Sequence, residues 1–214
     1  MPASEIICRR LVDPTPEDFA RCLEVINQGF KHTAIYLQDC GGDTELINMR
    51  DDAVLRADLL DREVWTASVD GEIGSLCVVV PPGGSATQGK KALLAEFQSV
   101  RPKEHKEWEE KVLGPLKKAR GEKVLELNKG PAYHLSKLVT HPDHRRQGLA
   151  SALMDMLVER LDAEDMAMSL TTQSEPNVDF YARWGFEKVF EAPFDYIDGS
   201  PGMFIGMLRA RRSP

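Results

Sequence analysis

Hydrophobic residues recur in two different patterns along the first thirty positions. Residues 6–12 form a short, largely apolar run, which predicts a first β-strand. Further apolar residues repeat with helical spacing: Phe19, Cys22, Leu23 and Ile26. Thr15 is suited to cap a helix that opens at Glu17, and Pro16 suits its first turn. The pattern therefore predicts a strand followed by an amphipathic helix.

A second helix and a β-hairpin follow in the predicted order. The helix covers about Asp51 to Leu60. Residues 64–69 and 72–80 have the composition of strands and flank Asp70-Gly71, a pair that favours the tight turn of a hairpin.

Residues 85–130 form a polar stretch rich in Lys and Glu. Apolar residues recur there with roughly helical spacing: Trp108, Val112, Leu113 and Leu116. Because most of the surrounding residues are charged, we expect a helical insertion that covers one side of a sheet.

Strands and helices alternate in the last third of the chain. The predicted strands are 133–140, 166–171, 186–190 and 203–208. The predicted helices are 145–161 and 177–184, and Gly185 is suited to end the second of them. This order is mixed α/β without an internal repeat, and 214 residues suit a single domain spanning 1–214.

Composition limits the classes of protein to which the chain could belong. There are 27 basic and 34 acidic residues, and the net charge of −7 argues against nucleic-acid binding and favours a cationic partner. The longest apolar run, 76–80, is too short to span a membrane, and residues 1–5 do not resemble a secretory signal. The 4 cysteines are scattered, so we expect reduced thiols in a cytoplasmic protein without a zinc site.

Residues 138–151 run from a predicted strand through a short loop into a predicted amphipathic helix. The pattern Arg145-x-x-Gly148-x-Ala150 stands where that helix opens. The first turn of a helix offers free N–H groups and positive potential, and small residues allow a pyrophosphate to approach. Arg145 and Arg146 add positive charge. Alone, the segment is equally compatible with an ordinary strand–loop–helix corner.

A second segment, 177–186, contains Asn177, Phe180-Tyr181 and Gly185-Phe186. Together the two segments resemble the GNAT superfamily, the Gcn5-related N-acetyltransferases. The family's phosphate-binding pattern Gln/Arg-x-x-Gly-x-Gly/Ala fits 145–150, and its later helix carries Asn, Phe-Tyr and Gly-Phe at this spacing. Leu138-x-x-His141-Pro142 is similar to the family's entry to the phosphate loop. The resemblance covers about 135–190, and the long insertion is similar to that of puromycin acetyltransferase-like members.

The resemblance implies an α/β (α+β) fold with a twisted, mostly antiparallel mixed sheet flanked by helices. It implies a helical insertion between the third and fourth strands and a split between the fourth and fifth, where acetyl-CoA binds as co-substrate. The backbone of Leu138 and Thr140 would hold the pantetheine arm, and the amides of 146–151 would hold the pyrophosphate. The implied cofactor-binding residues are Leu138, Val139, Thr140, Arg145, Arg146, Gln147, Gly148, Leu149, Ala150, Ser151, Asn177 and Tyr181.

The resemblance also implies acyl transfer to a primary amine by direct attack through a tetrahedral intermediate. A backbone N–H of Val139 or Thr140 would stabilise the oxyanion. Tyr181 would protonate the departing thiolate, because a phenol with a pKa of about 10 keeps its proton at pH 7. The alternative for Tyr181 is a core aromatic residue with a buried hydroxyl.

The general base is the least specific assignment. Some relatives carry a Glu on the fourth strand, and counting back from the loop motif places His134 there. An ordinary His has a pKa of about 6.5 and would accept a proton at pH 7. Strand alternation predicts that His134 shares a face with Ser136, Leu138 and Thr140. The alternatives are a packing histidine, water, or a carboxylate of the insertion: Glu96 or Glu126.

Other functions stay open at this point. Residues 84–91 nearly spell a phosphate-binding P-loop, but Lys91 stands where a Ser or Thr would ligate Mg²⁺. His141 and His144 are at most half of a metal site, and we expect no metal. A GNAT-like scaffold could also bind acyl-CoA without transferring the acyl group, although such a binder would not need Tyr181.

The acceptor amine cannot be read from the residues. Its pocket should involve the N-terminal helices, the insertion and the loop around Tyr196, where the resemblance fails. The acidic balance favours a cationic small-molecule amine, although antibiotics, polyamines and protein amines remain open. We expect a monomer or homodimer, with neither nucleic acid nor a membrane as partner.

Overall fold

The computed structural model describes residues 5–84 and 88–212. Its seven strands form one sheet in the order β1-β2-β3-β4-β5-β7-β6, and β4–β5 is the parallel pair among antiparallel ones. The strands are β1 (Ile6–Arg10), β2 (Glu63–Val69), β3 (Glu72–Val80), β4 (Ala132–Thr140), β5 (Ala167–Thr172), β6 (Glu187–Asp195) and β7 (Pro201–Arg209). The predicted mixed, mostly antiparallel sheet flanked by helices is confirmed.

Eight α-helices surround the sheet in the described residues. They are α1 (Pro16–Phe30), α2 (Ala34–Gln38), α3 (Thr44–Asp61), α4 (Gln88–Val100), α5 (Lys103–Trp108), α6 (Gly114–Asn128), α7 (Leu149–Glu164) and α8 (Glu175–Ala182). A π-helical turn, Glu109–Leu113, joins α5 to α6, and a 3₁₀ turn, Pro142–His144, follows β4.

The N-terminal helix and the hairpin follow the sequence prediction closely. Thr15 Oγ1 accepts a hydrogen bond from the Asp18 N–H at 3.1 Å, which caps α1 as expected. Asp70 and Gly71 have φ of +52° and +82° between β2 and β3, so both occupy the left-handed region that the two-residue turn requires.

The second helix was wrongly placed at Asp51 to Leu60, because α3 begins at Thr44. Asp43 caps α3 by accepting hydrogen bonds from the N–H groups of Glu45 and Leu46. The helix buries ions as well as apolar residues, so its hydrophobic periodicity is weak. Asp58 is fully buried, and its carboxylate contacts Arg62 at 3.0 Å, Lys90 at 3.7 Å and Lys137 at 2.8 Å. We call these four residues the Asp58 cluster.

The insertion between β3 and β4 is helical, as predicted, over its described residues. Two of its buried apolar side chains, Trp108 and Leu113, pack on the β6–β7 hairpin beside Phe194 and Phe204. The Trp108 indole N–H donates to the Asp195 carbonyl at 2.8 Å. The insertion is therefore attached to the C-terminal end of the sheet.

The predicted helix start at Arg145 is wrong, because α7 begins at Leu149. Arg146 and Gly148 have φ of +62° and +89°, so residues 145–148 form a loop with left-handed backbone instead of a helical turn. α7 then packs Leu153, Leu157 and Leu161 on one face of the sheet. α1 and α3 cover the opposite face, and the two hydrophobic layers lie on either side of β3 and β4.

Candidate active site

The sheet splits between its two parallel strands. β4 pairs with β5 only from Ala132–Ala167 to Leu135–Leu170, although β4 continues to Thr140. The last five residues of β4 therefore keep β3 on one edge and lose their neighbour on the other. This open edge is the split that the resemblance implied.

Two hydrogen bonds show which backbone groups of β4 face β3 and which face the split. The Val139 carbonyl accepts from Ser75 Oγ at 2.8 Å, and the His141 N–H donates to the Gly74 carbonyl at 2.9 Å. Both groups face β3. Because successive residues of a strand point their backbone groups to opposite edges, the N–H groups of Leu138 and Thr140 face the split. Of the two oxyanion donors predicted, Thr140 therefore has the right direction and Val139 does not.

The loop after β4 presents a continuous row of backbone donors. The first intrahelical bond of α7 runs from the Ala152 N–H to the Gly148 carbonyl, and no described residue accepts from the N–H groups of 146–151. The left-handed φ of Gly148 turns the chain into the helix without a side-chain cap. Six free N–H groups at the positive end of a helix form an anion-binding site.

A cleft of about 690 Å³ joins the open edge to this row of donors. Of the residues predicted to bind acetyl-CoA, all but Gln147 line it: Leu138, Val139, Thr140, Arg145, Arg146, Gly148, Leu149, Ala150, Ser151, Asn177 and Tyr181. Gln147 instead donates its side-chain amide to the Asp143 carbonyl at 3.0 Å. Six further lining residues were not predicted: Gly29, Phe30, Thr33, His144, Phe180 and Arg183.

Gly29 brings the end of α1 against the open edge. A Cβ built on Gly29 would lie 2.1 Å from Val139 Cγ2 and 3.1 Å from the Thr140 carbonyl oxygen. Any side chain there would collide with β4, so the close approach requires glycine. The Arg145 guanidinium donates to the Gly29 carbonyl at 3.1 Å, which fixes α1 to the donor loop.

Tyr181 lies in the cleft with its hydroxyl free. Burial raises the pKa of this phenol above its usual value of about 10, and the neighbouring Cys77 thiol raises the pKa further. The hydroxyl makes no hydrogen bond to any of the described residues, although the ring packs against Phe180 and Phe186. Asn177, one helical turn earlier, donates its side-chain amide to Thr172 Oγ1 at 3.0 Å. The Tyr181 hydroxyl is therefore protonated at neutral pH and makes no hydrogen bond to a described residue.

These features coincide with a known domain family. Residues 117–198 match the family model described as an acetyltransferase (GNAT) domain, and this range contains β4, the donor loop and α8. Residues 117–198 therefore form a GNAT domain. GNAT domains carry out acyl transfer, so the chain is assigned to the GNAT-type N-acetyltransferases. No curated protein sequence matches it significantly.

Solved GNAT structures share the fold over nearly the whole chain. A Corynebacterium glutamicum structure, titled histone acetyltransferase HPA2 and related acetyltransferase, has a TM-score of 0.66 at 18% identity and covers 99% of this chain and 98% of its own. The structure of mosquito arylalkylamine N-acetyltransferase like 5b has a TM-score of 0.63 at 14% identity. It covers 95% of this chain and 99% of its own. The structure of the Escherichia coli ribosomal-protein-S18-alanine N-acetyltransferase has a TM-score of 0.56 at 11% identity. It covers 98% of this chain and 97% of its own. Nearness to the puromycin acetyltransferase-like members stays a prediction.

His134 is not among the residues that line the GNAT cleft. The register between β3 and β4 shifts at Ser136, where a bulge interrupts the alternation of side chains. The Lys137 ammonium consequently reaches Asp58 on the α3 face, whereas Leu138 packs on the α7 face. The prediction that His134 shares a face with Leu138 and Thr140 is therefore wrong.

The contacts of His134 also do not support a role as general base. Burial lowers its pKa to about 3, and the positive charge of Arg120 acts in the same direction. Nδ1 lies 3.2 Å from Arg120 Nη1, which can only donate, and 3.2 Å from the Ser169 carbonyl oxygen, which can only accept. Nδ1 is therefore already in contact with protein groups on both sides, and His134 does not line the cleft. The next candidates, Glu96 and Glu126, are both exposed, and Glu126 pairs with Lys123 at 3.0 Å.

Two other sequence hypotheses gain nothing from the structure. Residues 85–87 of the P-loop-like segment lie outside the described residues, and the Lys90 ammonium points to Asp58 and Asp61 at 3.7 and 3.8 Å. Within 5–84 and 88–212, no group of three or more metal-ligating side chains comes together. No described helix is both long and apolar enough to cross a membrane.

Proposed function

We propose that the chain transfers an acetyl group from acetyl-CoA to a primary amine by direct attack, with the cleft between β4 and α8 as the active site. One observation carries the proposal: the open edge of β4 leads directly into the six free N–H groups of 146–151. An extended chain that ends in a pyrophosphate matches both parts.

The residues of the cleft suit the parts of acetyl-CoA. Leu138 and Thr140 direct backbone groups into the split and would bind the pantetheine amides as a neighbouring strand would. The N–H groups of 146–151 would bind the pyrophosphate, and Arg145 and Arg146 add positive charge there. Arg183, whose guanidinium lies over the rings of Phe180 and Trp184, supplies a further cation at the rim.

Acetyl-CoA supplies an activated acetyl group, whose carbonyl carbon an amine attacks while the thiolate departs. The Thr140 N–H faces the split and would donate to the oxygen that gains negative charge. Tyr181 would return a proton to the departing sulfur, and the proton that the amine loses would pass through water to restore the phenol. Its raised pKa keeps the phenol protonated at neutral pH, and its hydroxyl has no competing partner among the described residues.

A thiol-release assay tests the proposal. Acetyl-CoA is mixed with the wild-type protein and, one at a time, with small amines, polyamines, amino acids and peptides, and free CoA thiol is recorded. We expect release that depends on one class of amine. Acetyl-CoA binding in calorimetry without release on any amine would contradict acetyl transfer and favour the non-catalytic acyl-CoA binder.

A further inference from the structure

Arg120 of α6 carries a positive charge that no described carboxylate neutralises. Its Nη1 lies 3.2 Å from His134 Nδ1 and 3.2 Å from Ser169 Oγ. Its Nε is buried without a hydrogen-bond partner. Burial lowers the pKa of the guanidinium, and no acidic neighbour among the described residues opposes that shift.

The three arginines that are fully buried among the described residues are paired with acids. Arg50 contacts Asp51 at 3.0 Å, Arg101 contacts Glu109 at 2.6 Å, and Arg209 contacts Asp162 at 2.5 Å: each guanidinium has its carboxylate. Arg120 is half-buried, and removing even part of a charge from water without a counter-charge is unfavourable. Arg120 differs from this pattern, which indicates a partner that the chain itself does not supply.

The position of Arg120 connects it to the acetyl-transfer site. Its stem crosses β7 at Gly206, where an added Cβ would lie 2.6 Å from Arg120 Cγ. Its head lies over His134 and Ser169, which face each other one pair before the last β4–β5 pair. The guanidinium is therefore at the closed end of the split, beyond the point at which the open edge begins.

The surroundings of Arg120 favour an anion. Arg62 of the neighbouring Asp58 cluster donates to Ser136 Oγ at 3.3 Å, and Asp58 is already shared by three cations. The Arg120 Nη2 makes no hydrogen bond to a described residue, yet it is not among the fully buried unpartnered atoms. It therefore keeps contact with solvent.

We propose that Arg120 binds a carboxylate of the acceptor, so that the acceptor is a primary amine that also carries a carboxylate. This inference rests on the proposed acetyl transfer and replaces the expectation of a purely cationic amine. Four residues of β4 separate His134 from Leu138, or about 13 Å at about 3.3 Å per residue. The amine and carboxylate of the acceptor must then be well separated, as are the side-chain amine and carboxylate of free lysine or the two ends of a dipeptide.

Matched acceptors on the wild-type protein test this proposal. Free lysine is compared with 1,5-diaminopentane, and glycylglycine with glycylglycinamide, by kcat/KM for CoA release. We expect the carboxylate-bearing member of at least one pair to be preferred by about tenfold or more, because charge-assisted hydrogen bonds are strong and specific. Equal values within both pairs, with transfer intact, would overturn the carboxylate site alone. No release from any amine would overturn the proposed function and this site with it.

Variants at Arg120 then test whether this residue causes the preference for a carboxylate-bearing acceptor. Arg120→Gln should raise KM for the preferred acid by about tenfold and leave its matched amine or amide within about twofold, and Arg120→Lys should restore part of the loss. Lys118→Gln, an exposed position on the same helix, is the control. An equal loss of kcat on all acceptors in Arg120→Gln would indicate a structural role and contradict the proposal.

Discussion

The two sides of the split are built from different kinds of group. The cleft side uses backbone: an open strand edge and six N–H groups from residues 138–151, close together in sequence. The side beneath α3 and α6 uses charged side chains: the Asp58 cluster and Arg120, which come from α3 and the residue after it, α4, α6 and β4. A backbone site suits a co-substrate with repeated amide and phosphate groups. A side-chain site can be changed residue by residue, which suits selection among amines.

The largest effect should come from blocking the backbone donors. Gly148→Glu should abolish measurable acetyl-CoA binding in calorimetry, because a carboxylate would stand beside the N–H groups at a position with φ of +89°. Gly199→Glu is the control, because Gly199 has φ of +78° with nothing within 4 Å. Both variants carry similar backbone strain, about 1–2 kcal/mol. Undiminished affinity in Gly148→Glu would remove this loop as the pyrophosphate site.

The next effect concerns the proton donor. Tyr181→Phe should lower kcat by about 10²–10⁴-fold and keep acetyl-CoA affinity, because only the hydroxyl is lost. Since the pKa of Tyr181 is raised, it should add no basic limb to the kcat profile below about pH 10. Tyr133→Phe is the control: its hydroxyl contacts Glu164 and Arg160 of α7, and Tyr133 does not line the cleft. A Tyr181→Phe turnover within about twofold of wild type would show that another group protonates the thiolate.

Substitutions in the Asp58 cluster should change the stability of the protein rather than its affinity for acetyl-CoA. Asp58→Asn should lower the free energy of unfolding by about 3–5 kcal/mol in urea titration, because it leaves buried cations without their counter-charge. Asp52→Asn, on the same helix, breaks an exposed pair with Arg56 and should cost about 1 kcal/mol or less. Similar losses in the two variants would show that the Asp58 cluster does not support this side of the split.

The smallest effect on turnover is expected at His134. Because its folded pKa is about 3, His134→Gln should leave the acidic limb of kcat unchanged. Its unfolded pKa is about 6.5, so the unfolded chain binds the proton first, and wild-type stability should fall from about pH 6.5 towards pH 3. Unfolding titrations should show a smaller pH dependence in His134→Gln. Disappearance of an acidic limb at pKa 6–7 would restore His134 as the base.

The sequence predicted those features whose cause is local. Thr15 and Asp70-Gly71 act within a few residues, and the loop motif at 145–150 identified the donor row. The start of α7 was misplaced because Gly148 adopts a left-handed φ that composition alone does not reveal. The bulge at Ser136 depends on pairing with β3, so it changed the face of Lys137 and Leu138 without any signal in the chain.

The acceptor side could not be predicted for the same physical reason. Arg120 looks like any other charge on a polar helix until Gly206 lets it cross β7. Asp58 and Lys137 are 79 positions apart and meet only in the folded sheet. Gly29 also has no local signal, because its need for a bare Cα arises from contact with Val139 and Thr140.

Amide hydrogen exchange with and without acetyl-CoA tests the central claim most directly. If the co-substrate is held by backbone at the split, the amides of Leu138, Thr140 and 146–151 should gain protection, because they lack acceptors in the free protein. Amides over α3 and α6 should change little. Protection confined to 84–91, or absent from both 138–140 and 146–151, would contradict the account.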